Sequence, residues 1–389
     1  MSDVPHLRFP EFCGEWVETT LGKISEITKG SGISKDQLSE QGSPCILYGE
    51  LYTKYKSEII NEVYSRTELE PSSLVKSMAN DVIIPCSGET AIDISTARCV
   101  PFDNILLGGD LNIIRLKNDD GGFFAYQLNG TRKKDIARVA QGVSVVHLYG
   151  ENLKQIRVYY PNTEEQKKIT RLLSLIDERI ATQNKIIEDL KKLKSAIIEI
   201  EYTPNTKTTS PIGDVIEQIS KRNKNNAIQN VLSVSNRQGF IKQSDQFENR
   251  NVASEDTSNY KIVEHNDFAF NPARINVGSI ARLTTFEKGI VSPMYICFRT
   301  QENVAPEYID YFFESKHFYC EIQKRLEGSV RQCLSFEGLC NIPLSLPSFE
   351  MQQLIGKRLF TLGQKIKTET DLLELLNKQK QYLLRQMFI

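Results

Sequence analysis

One stretch of this chain is written twice. A shift of 186 positions lays Pro161 on Pro347, Glu164 on Glu350, Gln166 on Gln352, Ile169 on Ile355 and Leu173 on Leu359 without a gap. The match runs on through Glu188 on Glu374, Leu190 on Leu376 and Lys194 on Lys380. It also reaches upstream to Gly142 on Gly328, Leu148 on Leu334 and Ile156 on Ile342. A repeat of this length dictates two comparable halves. With 389 residues, 40% hydrophobic and 25% charged, each half has enough chain to bury a core of its own.

Both copies read as a long helix. Asn162 after Pro161 can cap the first, Thr163 and Gln166 have capping-box spacing, and Thr203-Pro204 stops it; Ser348 caps the second. Ile169, Leu173, Ile176, Ile180, Ile187 and Leu190 follow alternating steps of four and three. Ile355, Leu359, Leu362, Ile366, Leu373 and Leu376 repeat the pattern, so each helix carries a coiled-coil seam. Gln183 and Lys194 interrupt the first seam, Glu369 and Lys380 the second. A helix of this length spans roughly 55 Å, more than a compact domain needs. One such helix alone would fit a core helix or a homodimerising coil. Two with matching seams favour pairing within the chain, with these apolar residues as the seam and partner-binding surface.

The predicted architecture is α+β. Two α/β-mixed domains, residues 1–160 and 203–346, are separated by helices 161–202 and 347–389 that form an antiparallel coiled coil, with a pseudo-two-fold internal repeat. The domains share edges rather than interiors: Leu21-Gly22-Lys23-Ile24 resembles Ile212-Gly213-Asp214-Val215, and Asn80-Asp81 aligns with Asn266-Asp267. Asp81 to Ile84 and Gly289 to Val291 read as strands, and Tyr308 to Leu326 as helical.

Motifs of catalysis are missing. The sequence holds no phosphate-binding glycine loop, no dinucleotide fingerprint, no His-Glu-x-x-His and no Gly-x-Ser-x-Gly. The four histidines and eight cysteines lack metal-ligand spacing. Phe270-Asn271-Pro272-Ala273 approaches the Asn-Pro-Pro-aromatic motif of amino-methyltransferases, but the second proline and the aromatic are absent, and it reads as a strand-end turn. No apolar run nears the ~18 residues of a membrane span and the N-terminus is too polar for a signal peptide, so a cytoplasmic, non-catalytic protein without membrane contact is expected. A net charge of −1 excludes a histone-like binder and leaves only local patches for nucleic acid.

Those patches sit in loops. In the first domain Lys29, Ser31, Tyr48, Lys54, Lys56, Ser87, Glu89, Thr90, Gln141 and Ser144 lie in polar, glycine-rich breaks between apolar runs. In the second, Lys221, Arg222, Lys224, Asn236, Arg237, Arg274, Asn276 and Arg331 do so, and Lys221 to Arg250 holds six basic residues against Asp245 and Glu248. Arg reads guanine edges, Asn and Gln read adenine, and Lys and Ser hold phosphates, which makes this a DNA-reading inventory.

The opening Leu7-Arg8-Phe9-Pro10-Glu11-Phe12 with Trp16 and Leu21-Gly22, the loop Ser87-Gly88-Glu89-Thr90, the stretch Asn271 to Ile280 and the twice-seen Pro-x-x-Glu-x-Gln helix start resemble the specificity subunit of Type I restriction-modification systems over essentially the whole chain. The resemblance implies two target recognition domains, each reading half of a bipartite site in double-stranded DNA, with the helices as spacers. It implies that the helices bind two modification subunits, which carry S-adenosylmethionine and methylate adenine, and that restriction subunits using ATP and Mg join them. This chain would bind no cofactor, and would deform DNA so that a partner flips the target base. A non-catalytic coiled-coil scaffold without sequence-specific DNA binding is the competing reading.

Overall fold

The computed structural model describes residues 4–142, 144–204, 209–236, 238–246, 256–328 and 332–389. The chain divides into two compact units, Met1–Lys185 with Asp371–Ile389, and Ile186–Thr370. The expected division set the helices apart as segments of their own. The units instead cut both helices near their middles, because each helix half is buried by the domain beside it.

In the first unit, strands β1 (Ser25–Lys29), β2 (Asp81–Pro85), β3 (Arg98–Val100) and β4 (Leu111–Leu116) form an antiparallel sheet of order β1-β4-β2-β3. Alternation along the strands splits their side chains between two cores. Val82, Ile84 and Ile114 face one core with helix α1 (Gly121–Asn129), while Ile83, Leu111 and Ile113 face a second. Asp120 caps α1 by accepting from Phe123 N at 2.7 Å. Helix α2 (Thr163–Tyr202) then lays Ile169 and Leu173 on the α1 core, and Leu384, Met387 and Phe388 close it from the chain's end.

The second unit repeats this plan. Strands β5 (Ile216–Ile219), β6 (Phe268–Phe270), β7 (Ile280–Arg282) and β8 (Ile296–Thr300) take the order β5-β8-β6-β7, all antiparallel. Helix α3 (Pro306–Phe312) stands where α1 stands, and helix α4 (Phe349–Gln386) brings Ile355 and Leu359 to a core shared with Ile198 and Tyr202 of α2. The domains therefore share interiors as well as edges. Each also has a second four-stranded sheet with one parallel pairing, Cys45 beside Leu106 in the first and Val231 beside Ile290 in the second.

The sequence-matched positions hold equivalent places. Asn80 and Asn266 both take positive φ, 82° and 71°. The aspartate after each accepts a backbone N–H, from Met78 at 2.8 Å and from Glu264 at 2.7 Å, and takes a two-pronged arginine, Arg115 at 2.9 and 2.8 Å or Arg299 at 3.0 and 3.1 Å. A Cβ on Gly22 would stand 2.8 Å from Lys154 Cβ, and one on Gly213 2.7 Å from Cys340 Cβ, so both turns need glycine. Each domain begins and ends on one short ribbon: Val17–Thr20 pairs with Arg157–Tyr160, and Thr209–Pro211 with Pro343–Ser345.

The helix starts differ from expectation in one detail. Asn162 caps α2, accepting from Glu165 N at 3.0 Å, but Gln166 makes no box with Thr163. Its amide donates to Pro161 O at 2.9 Å and accepts from Asp120 N at 2.9 Å; Gln352 does the same with Pro347 O at 2.9 Å and Ala305 N at 3.0 Å. The repeated glutamine thus clasps the start of each long helix to the start of the domain helix. The expected helix from Tyr308 to Leu326 is two, α3 and Lys316–Gln323, because Ser315 caps the second by accepting from Phe318 N at 3.1 Å.

The seams face inward within their units. Ile169, Leu173, Ile176, Ile187, Ile355, Leu359 and Leu376 are buried, and Ile180, Leu190, Leu362, Ile366 and Leu373 are half-buried. Any partner must therefore use other faces of the helices. The polar interruptions are paired: Lys380 bridges Glu58 and Asp177, both at 2.6 Å, and Lys194 reaches Glu314 at 2.6 Å. Among the described residues no helix is long and apolar enough to cross a membrane.

Candidate nucleic-acid interface

The loops at the strand ends of the first domain enclose a cleft of about 1050 Å³. Four separated segments build it: Gly32 to Leu38, Leu47 to Lys54, Glu89 with Asp93, and Gly109 with Asp110. Tyr48 and Tyr52 give it aromatic walls. Burial first, then Tyr48, Asp93 and Glu89, push the Tyr52 phenol above its ordinary pKa, so it remains a neutral hydroxyl at neutral pH.

The expected contact residues divide into those the fold uses and those it leaves free. Ser31 Oγ accepts from Val75 N at 2.8 Å, latching a loop. Ser87 is buried and its backbone pairs with His147; Gln141 bridges the same histidine through its backbone. Thr90 caps the short helix Ala91–Ile94 by accepting from Asp93 N at 3.1 Å. Lys29, Glu89 and Ser144 are exposed. Lys56 Nζ donates to Thr53 O at 2.9 Å, and Lys54 Nζ donates to Glu50 at 2.6 Å and to Ser65 Oγ at 3.0 Å.

Lys54 is thus committed to a buried carboxylate that also accepts from Leu47 N. Because the lysine is half exposed, Lys54→Met is expected to cost the domain only about 1 kcal/mol. A urea-unfolding midpoint reads this, and an unchanged midpoint would free Lys54 for a surface role.

In the second domain the backbones of Lys221 and Arg222 join the sheet edge: Lys221 O accepts from Ile262 N, and Arg222 bridges Lys261. Arg222 also donates to Asn259 at 3.0 Å, and Lys224 is exposed. Asn236 is exposed in the turn between Val231–Ser235 and Gly239–Lys242. Arg237 and Arg331 lie outside the described residues. Phe270-Asn271-Pro272-Ala273 is a strand-end turn, with Asn271 Oδ1 accepting from Ala273 N at 3.1 Å to open the 3-10 helix Pro272–Val277. That helix carries Arg274, exposed, and Asn276, half-buried, and closes on Gly278 at φ 87°.

The Ser87-to-Thr90 loop and the Arg274 helix occupy equivalent places, each following the third-ranked strand of its sheet, β2 or β6. One backbone bond marks both: Leu148 N donates to Cys86 O at 2.8 Å, and Leu334 N to Pro272 O at 3.1 Å. Tyr52, Asp93, Gly109, Asp110 and Lys35 in the first cleft were not among the expected residues. Only the fold brings their segments together. Among the described residues no group of His, Cys, Asp and Glu could hold a metal ion.

A family model described as Type I restriction modification DNA specificity domain matches the chain twice, over residues 14–192 and 204–378. The chain is 24% identical over 289 residues to the "Putative type I restriction enzyme MjaX specificity subunit" of Methanocaldococcus jannaschii, covering 67% of this chain and 64% of that one. It spans just under two thirds of that relative's length. It is 23% identical over 337 residues to the type I restriction enzyme MjaVIII specificity subunit of the same organism, covering 78% and 75%. Among solved structures, a Type I restriction-modification S subunit from M. genitalium matches with a TM-score of 0.65 at 16% identity over 99% of both chains. A chain from a structure of complex assembly and conformational transition in a type I R-M system gives 0.53 at 14%, covering 96% and 97%. At these identities the likeness to the solved structures is one of fold.

Proposed function

Because the chain belongs to the Type I restriction modification DNA specificity family, we propose that it is the non-catalytic sequence-reading subunit of a modification and restriction complex. Each domain reads one half of a bipartite site in double-stranded DNA, and the two helices hold the halves apart. The observation that carries this is the duplicated sheet-and-helix platform bearing unlike loops: Gly88 and Glu89 in one domain stand where Arg274 and Ile275 stand in the other. Equal platforms with unequal loops suit two different half-sites.

With the seams buried, the free faces of the helices remain for partners. Ile186, Leu193 and Ile200 stand seven residues apart and exposed on the last half of α2, and Leu375 and Tyr382 likewise on the last half of α4. Each unit thus offers an apolar helix face to a partner, at different positions of the repeat in the two units. In this reading S-adenosylmethionine stays with the modification subunits, ATP and Mg stay with the restriction subunit, and the complex works in the cytoplasm.

The test is the adenine methylation pattern of DNA from cells holding the modification subunit, with and without this chain. A bipartite motif that appears only with the chain supports the reading; a stable complex without any new motif favours the scaffold. Arg274→Ala is expected to relax one position of one half-site, at a cost of about 1–3 kcal/mol in discrimination. Equal loss in both halves would move Arg274 off the DNA.

A further inference from the structure

The first domain's cleft is anionic where a DNA-binding surface is usually cationic. Glu50, Glu89, Asp93 and Asp110 line it against Lys35 and Lys54, and Lys54 is already neutralised by Glu50. A phosphate would be repelled from such a floor, so the DNA backbone must run elsewhere. What can approach is a base edge.

Two of these carboxylates are uncommitted. Asp93 accepts from the Thr90 hydroxyl at 2.6 Å and Glu50 is held three ways. Glu89 and Asp110 are exposed, and their carboxylates have no hydrogen bond or ion pair among the described residues. In water that costs nothing. Under DNA a carboxylate that loses water without gaining donors is penalised, so these two are tolerable only opposite groups that donate.

The second domain supplies the contrast. On the equivalent loop it carries Arg274, in the place of Gly88, a donor suited to the O6 and N7 acceptors of guanine, while the first domain's loop carries Glu89 one residue further on, an acceptor only. We propose, resting on the reading of the chain as a DNA specificity subunit, that the first domain's cleft takes a base edge presenting an exocyclic amino group, cytosine N4 or adenine N6, with the Glu89 and Asp110 carboxylates as its acceptors. A keto-bearing base in that place sets its oxygen against a carboxylate and is rejected. Tyr48 and Tyr52 wall the space with flat ring surfaces.

The experiment compares methylation motifs from cells holding the modification subunit with the wild-type chain, Glu89→Gln or Asp110→Asn. Glutamine and asparagine keep shape but can donate as well as accept. The expected result is a motif altered at one position of one half-site, a strict C or A relaxing to admit G or T by about 10- to 100-fold, with the other half-site and the gap unchanged. Unaltered motifs in both variants, beside a normal wild-type motif, would overturn the proposal and leave the specificity reading standing. No wild-type motif would overturn both. Where a variant loses all methylation, binding of the purified complex to duplexes differing only at that position reads the same preference: retained strict selection counts against the proposal, relaxed selection for it.

Discussion

Replacing Lys380 with methionine should cost the first unit about 3–5 kcal/mol, the largest stability loss expected from any single substitution considered for this chain. The lysine stands 2.6 Å from both Glu58 and Asp177, and all three side chains are nearly sealed from water, at 12%, 9% and 6% exposure. Burial pulls the ammonium toward its neutral form, but the two carboxylates more than offset this and hold its pKa above the usual lysine value. Asp177 also accepts from Tyr126 at 2.7 Å and Ser57 at 3.1 Å, so it keeps donors when the lysine goes. Glu58, which burial pushes above the ordinary carboxylate range and Lys380 draws back down, loses its main cation.

The sign of the pH dependence follows. In Lys380→Met the Glu58 pKa rises further above its unfolded value, so the folded state binds a proton the unfolded state releases, and stability falls as pH rises through the folded pKa. The deficit against wild type should shrink on acidification and be full at neutral pH. Denaturant unfolding at pH 5 and pH 8 measures it, with Lys194→Met as control. In that control a single half-exposed carboxylate, Glu314, is involved, because the position equivalent to Asp177 is Gly363. The control should lose less than about 1 kcal/mol. Similar losses for the two lysines would show that the buried triad contributes nothing special.

A heptad inserted between Lys185 and Ile186, matched by one between Thr370 and Asp371, should widen the gap between half-sites while both half-site sequences stay as they were. These points are where the chain divides into its units, so each unit keeps its own contacts. Seven residues preserve the seam and add about 10 Å of helix, no more than about three base-pair steps. Removing four residues from the first helix alone shifts it by about 6 Å and breaks the seam's register, so the gap should change and stability fall together. Sequencing the methylated sites decides it: a gap indifferent to helix length would end the spacer idea.

The sequence read well where spacing carried the physics. The seams, the caps at Asn162 and Ser348, and the match of Asn80-Asp81 with Asn266-Asp267 all rest on local patterns, and the structure holds each of them. It read poorly where partners are distant. Lys380 looks like a flaw in a seam until Glu58, 322 positions away, is placed beside it. Lys54 looked free, although its partner Glu50 is one helical turn off. The shared sheet escaped notice because loops of unequal length displace its strands, and buried strands such as Asp81–Pro85 need only be apolar. The cleft is invisible in the sequence for the same reason: four stretches meet there that no linear spacing connects.

The two ribbons have a consequence for how such chains diversify. Since Val17–Thr20 lies against Arg157–Tyr160, and Thr209–Pro211 against Pro343–Ser345, the chain enters and leaves each domain through two neighbouring strands. A foreign domain that keeps this narrow doorway and the face packed on the long helices can be grafted whole. Inheritance can then shuffle readers as cassettes, acquiring a new half-site in one recombination event instead of by many separate changes of individual loops.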